Sequence, residues 1–139
     1  MNLKECLKER LLVKISPDKN KAASSLKIAL SKLSEAKRLF EQEFFDNAII
    51  TAYTSMFHAA RALLYKEGFQ EKSHYAVYIF LEEKYSDKLP KNLIDVFYYY
   101  QKNRHNILYG LEDYHVSAEK AETAVIDAED FLNKIKEIL

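Results

Sequence analysis

The residues best suited to chemistry stand together in the run NRHNILY, Asn103 to Tyr109. A guanidinium offers a planar fork of donors that suits a phosphate, and an imidazole exchanges a proton near neutral pH. Arg104 and His105 supply these two groups side by side, Asn103 and Asn106 flank them with amides, and Tyr109 shares a helix face with His105 four residues earlier. The surrounding positions Leu93, Val96, Phe97, Tyr100, Ile107, Leu108 and Leu111 define an apolar arc from whose middle Arg104 projects. A buried, unpaired arginine costs several kcal/mol, so Arg104 needs an internal carboxylate, a subunit groove or a ligand phosphate. A second polar set, His58 and Arg61, lies with Asn47, Thr51, Thr54 and Ser55 on one arc of an otherwise apolar segment, a weakly polar face suited to a groove or subunit contact. Tyr98 to Tyr100 offer either stacking surfaces for bases or core packing.

Other chemistries lack their materials. With 2 glycines there is no Walker or Rossmann turn, and no nucleophilic triad stands out. No His or carboxylate pair has metal-ligand spacing, so neither a metal nor a cofactor is expected. His74, near a helix start, and His115, in a loop, are expected on the surface. Cys6 is the 1 cysteine, which excludes an intrachain disulfide and a thiolate-built metal site, and it is expected to be inert.

Helices must position these groups, because 139 residues with 48% hydrophobic content, 2 glycines and 2 prolines favour long helices around one core. The central one runs from Asp46, its expected N-cap, to Glu67 before Gly68. It is apolar over most of its circumference and about 33 Å long at the usual rise per residue. Before it, Lys21 to Glu43 carries Ala22, Leu26, Ala29, Leu30, Leu33, Ala36 and Phe40 at helical spacing, and the short connection makes the two helices antiparallel. After it come a shorter helix from Ser73 to Tyr85, one from Pro90 to Tyr109 ended by Gly110, and a last one opened by Ser117. The run CLKERLLVKI predicts a short helix with Leu7, Leu11 and Leu12 on one side, broken by Ser16-Pro17-Asp18. The chain thus reads as all-α, an up-and-down bundle of four to five helices, with residues 1–20 an arm and 21–139 a single domain. The 21 basic and 21 acidic residues give a formal net charge of +0, so nucleic acid could be drawn only to a local patch. Without a membrane-length apolar run, and with a charged start MNLKECLKER, the protein is placed in the cytoplasm, off the membrane.

The wording of these segments resembles HEPN-domain proteins from about Leu11 to Leu139. An arm LLVKISPDK precedes KAASSLKIALSKLSEAKRLF, then come AYTSMFHAARALLYKEGFQEKSH, the polar turn NRHNILYG and the closing SAEKAETAVIDAEDFL. The resemblance implies a helical bundle that dimerises, and a family in which many members are metal-independent ribonucleases, some of them toxins paired with a minimal nucleotidyltransferase. Their motif joins an arginine, a polar residue and a histidine a short way on, doubled across a dimer groove. Arg104 and His105 match its first two parts, but Tyr109 stands where the histidine belongs, five residues on, and a phenol titrating near pH 10 is a poor base. Leu111 replaces the tyrosine that some family toxins carry, so its modification by a nucleotidyltransferase is not implied. On this footing Arg104, His105 and Tyr109 are the catalytic candidates, and Asn103, Arg104, Asn106, His58 and Arg61 the ligand-binding ones.

Three readings stay open. The first is a homodimer that binds RNA or a nucleotide phosphate in an intersubunit groove around Arg104, as the HEPN partner of a nucleotidyltransferase in a toxin–antitoxin-like pair. The second is a non-catalytic interaction or regulatory module with Arg104 in an intersubunit salt bridge. The third is an active ribonuclease in which His105 replaces the displaced base.

Overall fold

The computed structural model describes residues 1–111 and 115–139. Asn2 caps a short helix, α1 (Leu3–Lys8), by accepting from the Glu5 N–H, and the chain then extends as β1 (Leu12–Lys14). Asp18 caps α2 (Lys19–Glu41) through the Lys21 N–H. The central helix, α3 (Phe45–Glu67), ends where Gly68 takes the left-handed conformation at φ 90°. β2 (Phe69–Glu71) follows and pairs antiparallel with β1, setting Leu12 opposite Glu71 and Lys14 opposite Phe69. Three helices complete the fold: α4 (His74–Lys84), α5 (Lys91–Tyr109) and α6 (Ala118–Ile138), the last capped by Ser117 accepting from the Lys120 N–H.

The all-α bundle expected from periodicity is found, with two local corrections. The helix expected over CLKERLLVKI stops at Lys8, because Arg10 turns left-handed at φ 60° and the rest pairs as a strand. Extended backbone lets Leu12 reach full burial, and the Lys72 N–H donates to Leu11 O at 2.8 Å beside the ladder. The second correction concerns Asp46. The helix begins one residue earlier, Phe44 occupies the cap without a side-chain hydrogen bond, and Asp46 lies in the first turn, where its charge meets the positive end of the helix.

Helix α3 is packed against α2, α4, α5, α6 and β2. Its Ala48, Ala52, Ala59, Ala60 and Ala62 are fully buried, as are Ala29 and Ala36 of α2 and Ala121, Ala124 and Ala128 of α6. The antiparallel run of α2 along α3 is fixed by ring contact of Phe40 with Phe45 at one end, and at the other by Ser25 Oγ donating to His58 O at 2.7 Å. Phe97 of α5 stacks on Phe131 of α6 at 5.6 Å between ring centres. No described helix is long and apolar enough to cross a membrane.

Gly68 is where this packing depends on a missing side chain. A Cβ there would lie 2.8 Å from Ile15 O and 3.1 Å from the Pro17 ring, on a backbone at φ 90°. Gly68→Ala should therefore lower unfolding free energy by about 1–3 kcal/mol in urea titration. An unchanged midpoint would refute the constraint.

Candidate functional site

The inward line of α5 runs Ile94, Phe97, Tyr100 and Asn103, all buried. Arg104 stands half-buried beside that line, at the edge of the apolar face rather than in its middle. Leu108 and Leu111, assigned to the same arc, are 44% and 104% exposed, since the helix has run beyond the core by that point. From this edge Arg104 opens on a cleft of about 440 Å³ between the start of α4 and one side of α5. Helix α4 lines it with His74 and Tyr75, and α5 with Tyr98, Gln101, Lys102, Arg104, His105 and Asn106. Among the described residues no carboxylate lines the cleft, and Arg104 makes no ion pair. An uncompensated cation in a cavity of ligand size favours an anion.

Across from the α5 groups, His74 is fixed from below. Its Nδ1 lies 2.8 Å from the Tyr53 hydroxyl, and its ring stacks on Phe57 at 4.2 Å and 19°. Tyr53 is 1% exposed, and its hydroxyl also donates to Gln101 Oε1 at 3.5 Å, a long bond that ties α3 to α5. Although the outer edge of His74 meets solvent, its inner side has lost water to Phe57 and Tyr53. That desolvation lowers its pKa from 6.5, and the positive charges of Arg104 and Arg61 lower it further. Burial raises the Tyr53 pKa, which keeps the phenol protonated. On the outer wall Tyr98 stacks on Tyr78 at 4.3 Å and 8°, and Lys102 Nζ sits 4.5 Å from the centre of the Tyr98 ring.

The fold gathers some of the candidates and separates others. Arg104, His105 and Asn106 share the cleft. Asn103 turns inward, 8% exposed, and lines a second cleft of about 490 Å³ against α6. Tyr109 is 63% exposed, its ring 5.2 Å from that of His105. His58 and Arg61 belong to a neighbouring face of α3. There the Arg61 Nε lies 3.0 Å from Glu71 Oε1 in an off-axis ion pair, and its other end donates to the Tyr65 hydroxyl. The His58 Nδ1 is buried without a hydrogen bond, and desolvation together with Arg61 and Lys32 lowers its pKa.

Sequence reasoning missed Tyr53, Gln101 and the inward bond of His74. His74 does meet solvent, as expected, but its spacing from Tyr53, twenty-one residues, belongs to no helical repeat. The usable signal was a buried tyrosine hydroxyl needing a partner.

Two consequences are measurable. Because the folded state holds His58 and His74 below the unfolded value of 6.5, unfolding takes up protons there, so stability should fall as pH drops below about 6.5. Removing a nearby positive charge favours imidazolium, so Arg104→Ala should raise the His74 midpoint in an NMR titration. A midpoint that stays put would separate the two side chains.

Comparison with known proteins gives this geometry a family. The HEPN domain family matches residues 22–138. A protein of Methanocaldococcus jannaschii named "Putative toxin MJ0605" is 31% identical over 122 residues, covering 82% of this chain and 85% of that protein. With its helical order, its polar turn on α5 and this match over most of its length, the chain belongs to the HEPN-domain family.

Proposed function

We propose that the protein is a toxin-like HEPN protein that binds RNA through Arg104 as a homodimer. The observation that carries this reading is the cleft itself: among the described residues Arg104 and Lys102 line it, no acid does, and Arg104 has no ion pair. A phosphodiester takes bidentate hydrogen bonds from a guanidinium and point-charge attraction from an ammonium. Tyr75 and Tyr98 supply flat surfaces at the same opening, where an unpaired base can stack. An electrostatically neutral chain can bind nucleic acid by such a patch.

Dimerisation is supported by apolar side chains left open along the outer side and end of α5. Tyr99 is 50% exposed, Leu108 44%, Tyr109 63% and Leu111 104%. A second copy laid on this stretch would cover them and bring two Arg104 clefts close together. The toxin-like role is supported by family membership and by the name of the archaeal relative, and a minimal nucleotidyltransferase is the partner this reading adds. The competing reading is a non-catalytic interaction module, favoured by Tyr109 in place of the motif histidine.

Fluorescence anisotropy with a labelled single-stranded RNA separates the two. Arg104→Ala should weaken binding by about 1.5–3 kcal/mol, roughly ten- to a hundredfold in Kd, and flatten the salt dependence by about one phosphate contact. Binding unaltered by that change would leave the interaction module. Sedimentation of the wild-type protein as a monomer would remove the dimer.

A further inference from the structure

We propose that RNA binding in the Arg104 cleft takes up a proton on His74, so that the cleft holds its ligand more tightly as the pH falls. The proposal rests on the RNA-binding reading above and adds a regulation to it. Its basis is the place of the ring. His74 and Arg104 line one cleft from different helices, and no carboxylate stands among the described lining residues. The ring is held there by stacking on Phe57 at 4.2 Å and by the hydrogen bond between its Nδ1 and the Tyr53 hydroxyl at 2.8 Å.

In the empty cleft a charge on this ring is opposed. Arg61 bears on it from α3 and Arg104 from α5, while Lys102 and His105 of α5 share the cleft lining. The phenols that face it are Tyr53 of α3, Tyr75 of α4 and Tyr98 of α5. Glu71 of β2, the acid of the adjoining strand, is already engaged at 3.0 Å by Arg61. Together with the water lost on the inner side of the ring, the two arginines keep His74 neutral to a lower pH than the ordinary 6.5.

A phosphodiester reverses that balance. Its negative charge pairs with Arg104 and stands in the cleft that His74 lines, which offsets the repulsion and adds an attraction. The hydrogen bond to Tyr53 survives the change. An imidazolium carries a proton on both nitrogens, so its Nδ1 donates to the phenol oxygen whichever way the neutral pair is arranged. Binding and protonation then favour each other, and the midpoint of His74 is higher in the complex than in the free protein. Above the midpoint of the complex no proton is taken up and affinity is flat. Between the two midpoints affinity rises, by up to about tenfold per pH unit, as the pH falls. Below the midpoint of the free protein the ring is charged in both states and the curve is flat again.

The test is fluorescence anisotropy of the protein with a labelled single-stranded RNA, at constant ionic strength from about pH 5.5 to 8. Wild type should bind several-fold more tightly at the acid end. His74→Gln, which replaces the imidazole by an amide that does not titrate, should lose most of that gain, and His105→Gln should keep it. NMR titration of the wild type supplies a readout that needs no variant: saturation with RNA should move the His74 midpoint upward. In Arg104→Ala the midpoint should already be raised without RNA. A His74 midpoint that RNA leaves in place, a pH profile that His74→Gln leaves unchanged, or a gain lost in His105→Gln instead would overturn the linkage and leave the RNA-binding reading intact. Failure of the wild type to bind RNA anywhere in this range would remove both.

Discussion

The whole arrangement depends on how closely α3 can approach its neighbours. Ten alanines at the meeting surfaces of α2, α3 and α6 are fully buried, and a methyl side chain lets two helix backbones come near the short end of the usual interaxial range. Close backbones exclude water and leave little room for repacking, so each of these positions is sensitive to added volume. Larger side chains fill the wider parts of the core, where Phe97 stacks on Phe131 and Tyr53 packs toward α5. The polar groups of α3 are consequently pushed to its flanks. One flank carries His58 and Arg61, and the buried Tyr53 hydroxyl reaches the floor of the Arg104 cleft.

That cleft is built from local surplus in a molecule whose charges cancel overall. Lys102, Arg104 and two histidines line it, with no acid among the described lining residues, while several carboxylates of the fold have partners of their own. Glu71 sits against Arg61, Asp95 against Lys91, and Asp127 accepts from the Tyr100 hydroxyl. Phe57 occupies a particular place in the pattern. One neighbour of its ring is the His74 imidazole at 4.2 Å, and another is the Arg61 guanidinium at 5.8 Å from its centre. A single hydrophobic side chain thus connects the two polar sets that the sequence presents as separate.

Helices were legible because each carries its own periodicity and punctuation. Gly68 and Ser117 mark ends that the structure confirms by backbone angle and by hydrogen bond. The apolar stripe of α6, Ala121 through Ile135, is buried throughout. The strands were not legible, since three residues are too few to establish an alternation and their pairing joins segments more than fifty positions apart. Arg104, His105 and Asn106 could be singled out as misfits on an apolar helix. Asn103 belongs instead to the inward line, because a step of three residues from Tyr100 keeps it on the core side. The link from His74 to Tyr53 is a tertiary contact, and sequence spacing carries no information about it.

The two-stranded clasp has a mechanical meaning for the cleft. Residues 12–14 grip residues 69–71, and the chain enters α4 at His74 only three positions later. The arm, far from α5 in sequence, therefore acts as a guy-line on the first turn of α4. The opening fourteen residues thus brace the end of α4 that carries His74, one wall of the cleft.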